Sequence, residues 1–298
     1  FTKEGSIISL FTITLITICG IGFSASDYFR KLAVKELDPE ILLLVFVGGQ
    51  IPMLIIWFYL NGDIYIDARY WPIGILAGIL GLTANLLFLL SLKISQISMV
   101  IPILGLVPII SAFSGYILLD EKLKLIQIIG IILSGLALVI IYSPPQSNIV
   151  NGIKFLIKDK GAVLMGIVAI LWSTLAPIDK ICMQYSSDAT HALLQTVFIT
   201  LALFFYLALY KKNIHKVIKS KVLVPALLGS LTAGIAYGAQ LISYQLTYVS
   251  FVELYKRIVG ILGALITGKV FFSESITRKK LFGILMMIAS LPLVMIDF

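Results

Sequence analysis

Three charged side chains stand within one turn of each other inside a mostly apolar run. Val249–Phe272 is 24 residues long, and as a helix rising about 1.5 Å per residue it crosses a bilayer. Yet it contains Glu253, Lys256 and Arg257. An uncompensated charge near mid-membrane costs about 2.5–3.5 kcal/mol even on the mildest scale, so such groups must be paired or wet. Glu253 reaches Lys256 at i+3 and Arg257 at i+4, which places all three on one helix face. That face continues as Gly260, Gly263, Ala264 and Thr267, small residues that let a neighbouring helix pack close. An internal ion pair with no further role is one reading. The sharper one starts from charge: one carboxylate leaves one of the two cations unmatched. The spare positive charge is then expected to face a central cavity and meet an anionic group of a substrate, with Arg257 gripping it bidentately and Lys256 acting as a point charge.

Other polar groups fall within apolar runs. Tyr237, Gln240, Tyr244 and Tyr248 follow helical spacing and predict one polar-aromatic face lining the same cavity, although Tyr248 also suits an interfacial belt. Asp27 reads either as a helix-end group beside Arg30 or as a site residue. Asp179 and Lys180, after Pro177, read either as an interfacial turn with a snorkelling lysine or as part of the site. Trp57, Trp71 and Trp172 read as anchors or packing. Catalysis is not expected. His191 and His215 are too few and too far apart for a zinc-protease helix, no histidine run faces the Gly22-Phe23-Ser24-Ala25 serine, and no Walker or glycine-rich nucleotide loop is present. Cys19 and Cys182 sit in apolar stretches and suggest neither a disulfide nor a metal cluster. No cofactor is expected, and any transport is expected to be secondary, driven by gradients.

The elements that must hold these residues are membrane spans. Of 298 residues 59% are hydrophobic and 13% charged, against about 25% charged in soluble domains. Ten runs are long enough to span: Ser6–Phe29, Pro39–Leu60, Tyr70–Leu92, Ile97–Leu119, Lys124–Tyr142, Gly161–Tyr185, Ala189–Tyr210, Leu223–Thr247, Val249–Phe272 and Thr277–Met295. The longest break, Ser143 to Lys160, carries turn and linker residues. It predicts a first five-helix unit at 1–143, a linker at 144–160 and a second unit at 161–298. The halves resemble each other: Leu119-Asp120-Glu121 matches Phe272-Ser273-Glu274 at an offset of 153, which also places Gly115 on Gly268 and Gly130 on Gly283. An odd number of spans per half inverts the second copy, so the fold expected is all-α, integral to the membrane, with ten transmembrane helices in an inverted five-plus-five repeat and a site at the midplane.

Charge predicts the orientation. Five basic residues fall on the side of the N-terminus and fifteen on the other, with three inside the ninth span. By the positive-inside rule both termini are expected outside the cytoplasm. The N-terminal apolar run is read as the first span rather than a signal peptide, and the net charge of +8 as a property of cytoplasmic loops, not of nucleic-acid binding.

The ten spans, the inverted repeat and the paired Leu119-Asp120-Glu121 and Phe272-Ser273-Glu274 segments resemble the drug/metabolite transporter superfamily, EamA type, over nearly the whole chain. The Trp172…Pro177-Ile178-Asp179-Lys180 stretch and Lys256-Arg257 followed by Gly268 are similar to one EamA branch. The adjacent Lys-Arg is also similar to triose-phosphate translocators, in which such a pair binds the substrate phosphate. This sequence adds Glu253, which neutralises part of that charge. The resemblance implies ten helices around a cavity opening alternately to each side. The function expected is secondary transport of a small polar metabolite with a phosphate or carboxylate group across a bacterial inner membrane, by a monomer or homodimer. Alternatives are export of an amino acid or cationic metabolite with Glu253 as substrate or proton site, a lipid-linked sugar flippase, and a non-transporting scaffold.

Overall fold

The computed structural model describes residues 9–61, 65–142, 158–210, 220–273 and 277–295. Among these, ten helical elements follow one another. They are α1 (Leu10–Ala33), α2 (Pro39–Gly48, resuming as Ile51–Asn61), α3 (Tyr70–Ile94) and α4 (Ile97–Val100, a 3-10 segment Ile101–Leu106, then Val107–Leu119). After α5 (Leu125–Tyr142) come α6 (Lys160–Cys182), α7 (Asp188–Leu209), α8 (Leu223–Leu246), α9 (Val249–Phe272) and α10 (Arg278–Met295). By length and composition α1, α2, α3, α6, α7 and α8 each suffice to cross a membrane. The described residues form no strand, only an isolated bridge between Ile66 and Ser186. The architecture is the all-α, ten-helix membrane fold read from the sequence. Glu274, residues 211–219 and most of the Ser143–Lys160 connection lie outside the described residues.

Local chemistry sets the boundaries. Ser9 accepts from the Thr12 N–H, Asp159 from Ala162 and Ser187 from Thr190, so α1, α6 and α7 each start on a side-chain cap. α1 runs four residues past the expected end at Phe29, which makes Arg30 and Lys31 buried helical residues rather than loop cations. The α4 span is broken where Pro102 and Pro108 supply no N–H. Pro177 lies inside α6 and would orphan the Ser173 carbonyl one turn earlier. Ser114 of α4 donates its hydroxyl to that carbonyl at 2.7 Å. In α2 the helix pauses at Gly49, where a Cβ would stand 2.5 Å from the Ser230 Oγ of α8. Ser230 donates instead to the Phe46 carbonyl at 2.8 Å, and Gln50 to the same oxygen at 2.9 Å.

The repeat is visible in the backbone. Among the described residues, the non-glycine positions with positive φ are Asp120 at 55° and Ser273 at 54°. They cap α4 and α9, and their N–H groups bond the carbonyls of Gly115 and Gly268. The left-handed conformation is costly for L-residues, and its recurrence 153 positions apart marks the same helix ending built twice. Packing repeats as well. α1 lies along α8 and α9, while α6 lies along α3 and α4. α2 meets α7, and α5 pairs with α10. Each contact between halves has its exchanged twin, as a pseudo-twofold relation requires. The halves interdigitate, and α1, α2, α3, α6, α7, α8 and α9 surround the cavity described next.

Candidate functional site

α9 starts immediately after α8, because Thr247 and Tyr248 are extended and turn the chain in two residues. Glu121, at the end of α4, accepts the Val249 N–H at 3.1 Å, meeting one of the orphan donors of the new helix. Lys180 donates to Glu121 at 2.8 Å and to the Thr247 carbonyl at 3.0 Å. The other half has a parallel arrangement: Lys31 donates to the carbonyls of Leu92, at 2.6 Å, and Ser95, where α3 ends. Each lysine thus crosses from α1 or α6 to cover a helix C-terminus. Lys180 is turned away from the cavity, whereas its neighbour Asp179 lines it.

The first turns of α9 then carry Glu253, Lys256 and Arg257 inward. Glu253 is 1% exposed. Its Oε1 accepts from the Tyr244 hydroxyl and the Lys256 ammonium, and its Oε2 accepts from Arg257 at 3.3 Å. Lys256 also donates to Gln240 Oε1 at 2.7 Å and sits 5.5 Å from the Phe23 ring centroid. Its donors are therefore largely committed to the protein. Arg257 differs. Its guanidinium lies 5.2 Å from the Trp172 ring centroid, and one of its five N–H groups bonds Glu253. Its Nε is buried without a hydrogen-bond partner. The small-residue face divides: a Cβ at Gly263 would overlap Ser24 of α1, while Gly260 faces open space.

These groups share a cavity of about 970 Å³ of empty space, its open mouth included. Of the residues expected at the site, Asp27, Asp179, Tyr237, Gln240, Tyr244, Glu253, Lys256 and Arg257 line it, and Lys180 does not. Asp27 holds Arg30 at 3.1 Å, and the Arg30 guanidinium lies 5.4 Å from the ring centroids of both Phe46 and Phe88. Asp179 receives His191 Nε2 at 3.1 Å, while His191 Nδ1 lies 3.0 Å from the Tyr70 hydroxyl. Gln195 donates to the Gly74 carbonyl at 2.8 Å beside them.

Sequence reading passed over Arg30, Tyr70, Trp172, His191 and Gln195. A signal for the histidine was present. The α6–α7 connection is so short that Asp179, four residues before Met183, and His191, four residues after Ser187, must face each other across it. Trp172 falls to the same logic less directly, since only the packing of α6 near α9 puts an indole under Arg257. The charges are asymmetric between halves. The 153-residue offset carries Glu253, Lys256 and Arg257 onto Val100, Ile103 and Leu104, which are buried in the apolar core. Outside the spans, hydrogen bonds from Arg69 hold the Asp67 carboxyl well below the usual carboxylate range.

Comparison with known families settles the class. The EamA-like transporter family matches residues 10–143 and 159–296, which takes in both five-helix halves. The chain belongs to the EamA-like transporter family. No curated protein matches its sequence. A solved crystal structure, described only as that of a protein, is 13% identical with a TM-score of 0.65 over 92% of this chain and 94% of its own. At that identity the likeness is one of fold. This EamA-like chain is accordingly a multi-pass membrane protein of a transporter family, with its charged cluster on the second copy alone.

Proposed function

We propose that this EamA-like protein is a secondary transporter of a small polar metabolite carrying a carboxylate or phosphate, moved by alternating access through the central cavity. The observation that carries the reading is Arg257: a guanidinium lining the cavity, backed by Trp172, with most of its donors uncommitted and a buried Nε. A fork of parallel N–H groups suits a planar oxyanion. Lys256, Glu253, Gln240 and Tyr244 form the fixed bed that orients it. A second reading, export or exchange of a zwitterion such as an amino acid, is favoured by Asp27 and Asp179 lining the same cavity. Glu253 serves neither reading as a direct ligand, since its oxygens already receive Tyr244, Lys256 and Arg257. In keeping with the basic residues outside the spans, we place the protein in a bacterial inner membrane with both termini extracytoplasmic.

Thermal unfolding of the purified protein against a panel of carboxylates, phosphates and amino acids tests the reading. A ligand at a hundred times its Kd stabilises the folded state by about 2.7 kcal/mol. The stabilising compounds should carry an anionic group and lose their effect in the Arg257→Gln variant. If that variant keeps the full shift, Arg257 is structural.

A further inference from the structure

Among the described residues, the charged side chains lining the cavity balance. Asp27, Asp179 and Glu253 face Arg30, Lys256 and Arg257, three acids against three bases. A site that is formally neutral when empty cannot take up an anion deep in a membrane without a compensating positive charge, because the net charge left over is penalised by a few kcal/mol. An amino acid brings its own ammonium. A simple anion does not.

We infer that the Asp179–His191–Tyr70 chain is a proton-binding site that loads together with the substrate anion, one proton per negative charge; the inference rests on the anion reading of Arg257. The three cavity carboxylates differ in what holds them. Glu253 accepts three donors, and protonating it would loosen Lys256, Arg257 and Tyr244 together. Asp27 is held by the Arg30 guanidinium between two aromatic rings. Asp179 alone has an imidazole for a partner, a ring that takes a second proton while keeping its N–H on the carboxylate.

Both ring nitrogens of His191 keep a partner in either protonation state. His191 is fully buried, Asp179 is 3% exposed and Tyr70 is 2% exposed. In the neutral ring Nε2–H donates to Asp179, and Nδ1 accepts from the Tyr70 hydroxyl. On taking a proton at Nδ1, the ring donates at both nitrogens, and the phenol oxygen accepts from it as it does from Gln195 at 3.4 Å, its own O–H turning away from the ring. The proton comes from water, no covalent bond of the protein breaks, and the dyad becomes an imidazolium–carboxylate pair. Other titratable groups near the chain are Cys182 of α6, packed in one cluster with Tyr70, and Tyr237 of α8, with Glu253 and Lys256 of α9 acting on Asp179 across the cavity. Asp179 joins the two sites, since it lines the cavity and holds the ring. Tyr70 opens α3 directly after the exposed Asp67–Arg69 turn, so the chain runs from the cavity toward one aqueous face.

The test uses the full chain in lipid nanodiscs, with acetate as the probe anion because it stays ionised from about pH 6 to 8. Binding is read from Trp172 fluorescence in a Trp57→Phe, Trp71→Phe background. The state of the ring is read by nitrogen-15 histidine NMR with His215→Gln, which leaves His191 as the one histidine. At pH 7, adding acetate should convert the His191 signals toward the doubly protonated form, with about one proton taken up per anion bound. Affinity should rise up to tenfold per unit fall in pH, as a single linked proton requires. His191→Gln should bind acetate with little pH dependence. Glycine, carrying its own ammonium, should draw no proton, and uptake equal to that with acetate would overturn the charge-balance argument. Anion binding that is independent of pH, with unchanged His191 signals, sinks this inference and leaves the Arg257 reading standing. If acetate changes Trp172 fluorescence at no pH, or Arg257→Gln leaves the change intact, the Arg257 reading fails and takes the proton site with it. The NMR arm is read on native His191, so it holds even if His191→Gln does not fold.

Discussion

Glu253→Gln removes one negative charge and almost no volume, yet it should be among the most damaging changes in the chain. The carboxylate is 1% exposed and receives an ammonium, a guanidinium and a phenol. Hydrogen bonds to charged groups contribute about 1.5–3 kcal/mol each, but the three are not additive, because Arg257 also borders the cavity and can be hydrated there. Lys256 has no such outlet. It would be left with the Gln240 amide oxygen and the face of Phe23. Removing one partner of a buried ion pair costs about 3–5 kcal/mol, and that is the loss expected here. Lys256→Met should cost less, about 1–3 kcal/mol, because Glu253 keeps Tyr244 and Arg257. The double variant Glu253→Gln, Lys256→Met should recover part of the larger loss. The measurement is unfolding free energy in mixed micelles for the wild type, both single variants and the double variant. If Glu253→Gln unfolds within about 0.5 kcal/mol of the wild type, or the double variant is the sum of its parts, the cluster is not a coupled buried network and the argument above is wrong.

Further outcomes follow from the same geometry. With Cys19 and Cys182 replaced, cysteines at Tyr237 and Gln240 should react with a water-soluble thiol reagent, while one at Tyr244, fully buried beside Glu253, should react far more slowly. Glu121→Gln and Lys180→Met should each weaken the bracket over the α8–α9 turn by about 1–3 kcal/mol, seen as faster amide exchange at Val249, without changing anion selectivity. Gly49→Val should separate α2 from α8 and destabilise by about 1–3 kcal/mol in the same unfolding assay, since its Cβ meets Ser230. Reporter fusions at the C-terminus and within 211–219 should lie on opposite sides of the membrane, and the same side for both would refute the orientation.

Helix number and order were legible because apolar length and turn residues are local properties. α9 begins and ends where the apolar run does, and the offset of 153 between Leu119-Asp120-Glu121 and Phe272-Ser273-Glu274 was enough to find the repeat. The close approach of Ser230 to Gly49 was not legible, because the two are 181 residues apart, although Gly48-Gly49 and Pro52 are local signals for the pause in α2. The site was legible wherever its residues share a helix face: Tyr237, Gln240 and Tyr244, or Glu253, Lys256 and Arg257. It failed where residues meet across helices. Asp179 and Lys180 are adjacent in sequence but leave α6 on different sides, one toward His191 and the cavity, the other toward Glu121. The count of two cations against one carboxylate was sound for α9 but incomplete for the cavity, where α1 adds Asp27 and Arg30 and α6 adds Asp179.

The exchange of partners between halves has a consequence for how the protein is made. α1 buries its flank against α8, which begins at Leu223, 190 residues after α1 ends at Ala33. At roughly 5–20 residues per second of synthesis, α1 waits on the order of ten to forty seconds for the surface it is built to meet. During that interval the flank of α1 that packs on α8 and α9 lacks its later cover, while Arg30 and Lys31 already meet Asp27, Phe46, Phe88, Leu92 and Ser95 of the first half. The first five helices can therefore be held in the bilayer but not finished, and an insertase or chaperone that shelters a half-translated chain should engage α1 for longer than any other segment. Ribosome-stalled chains ending before and after α8 should show that protection released only when α8 has emerged.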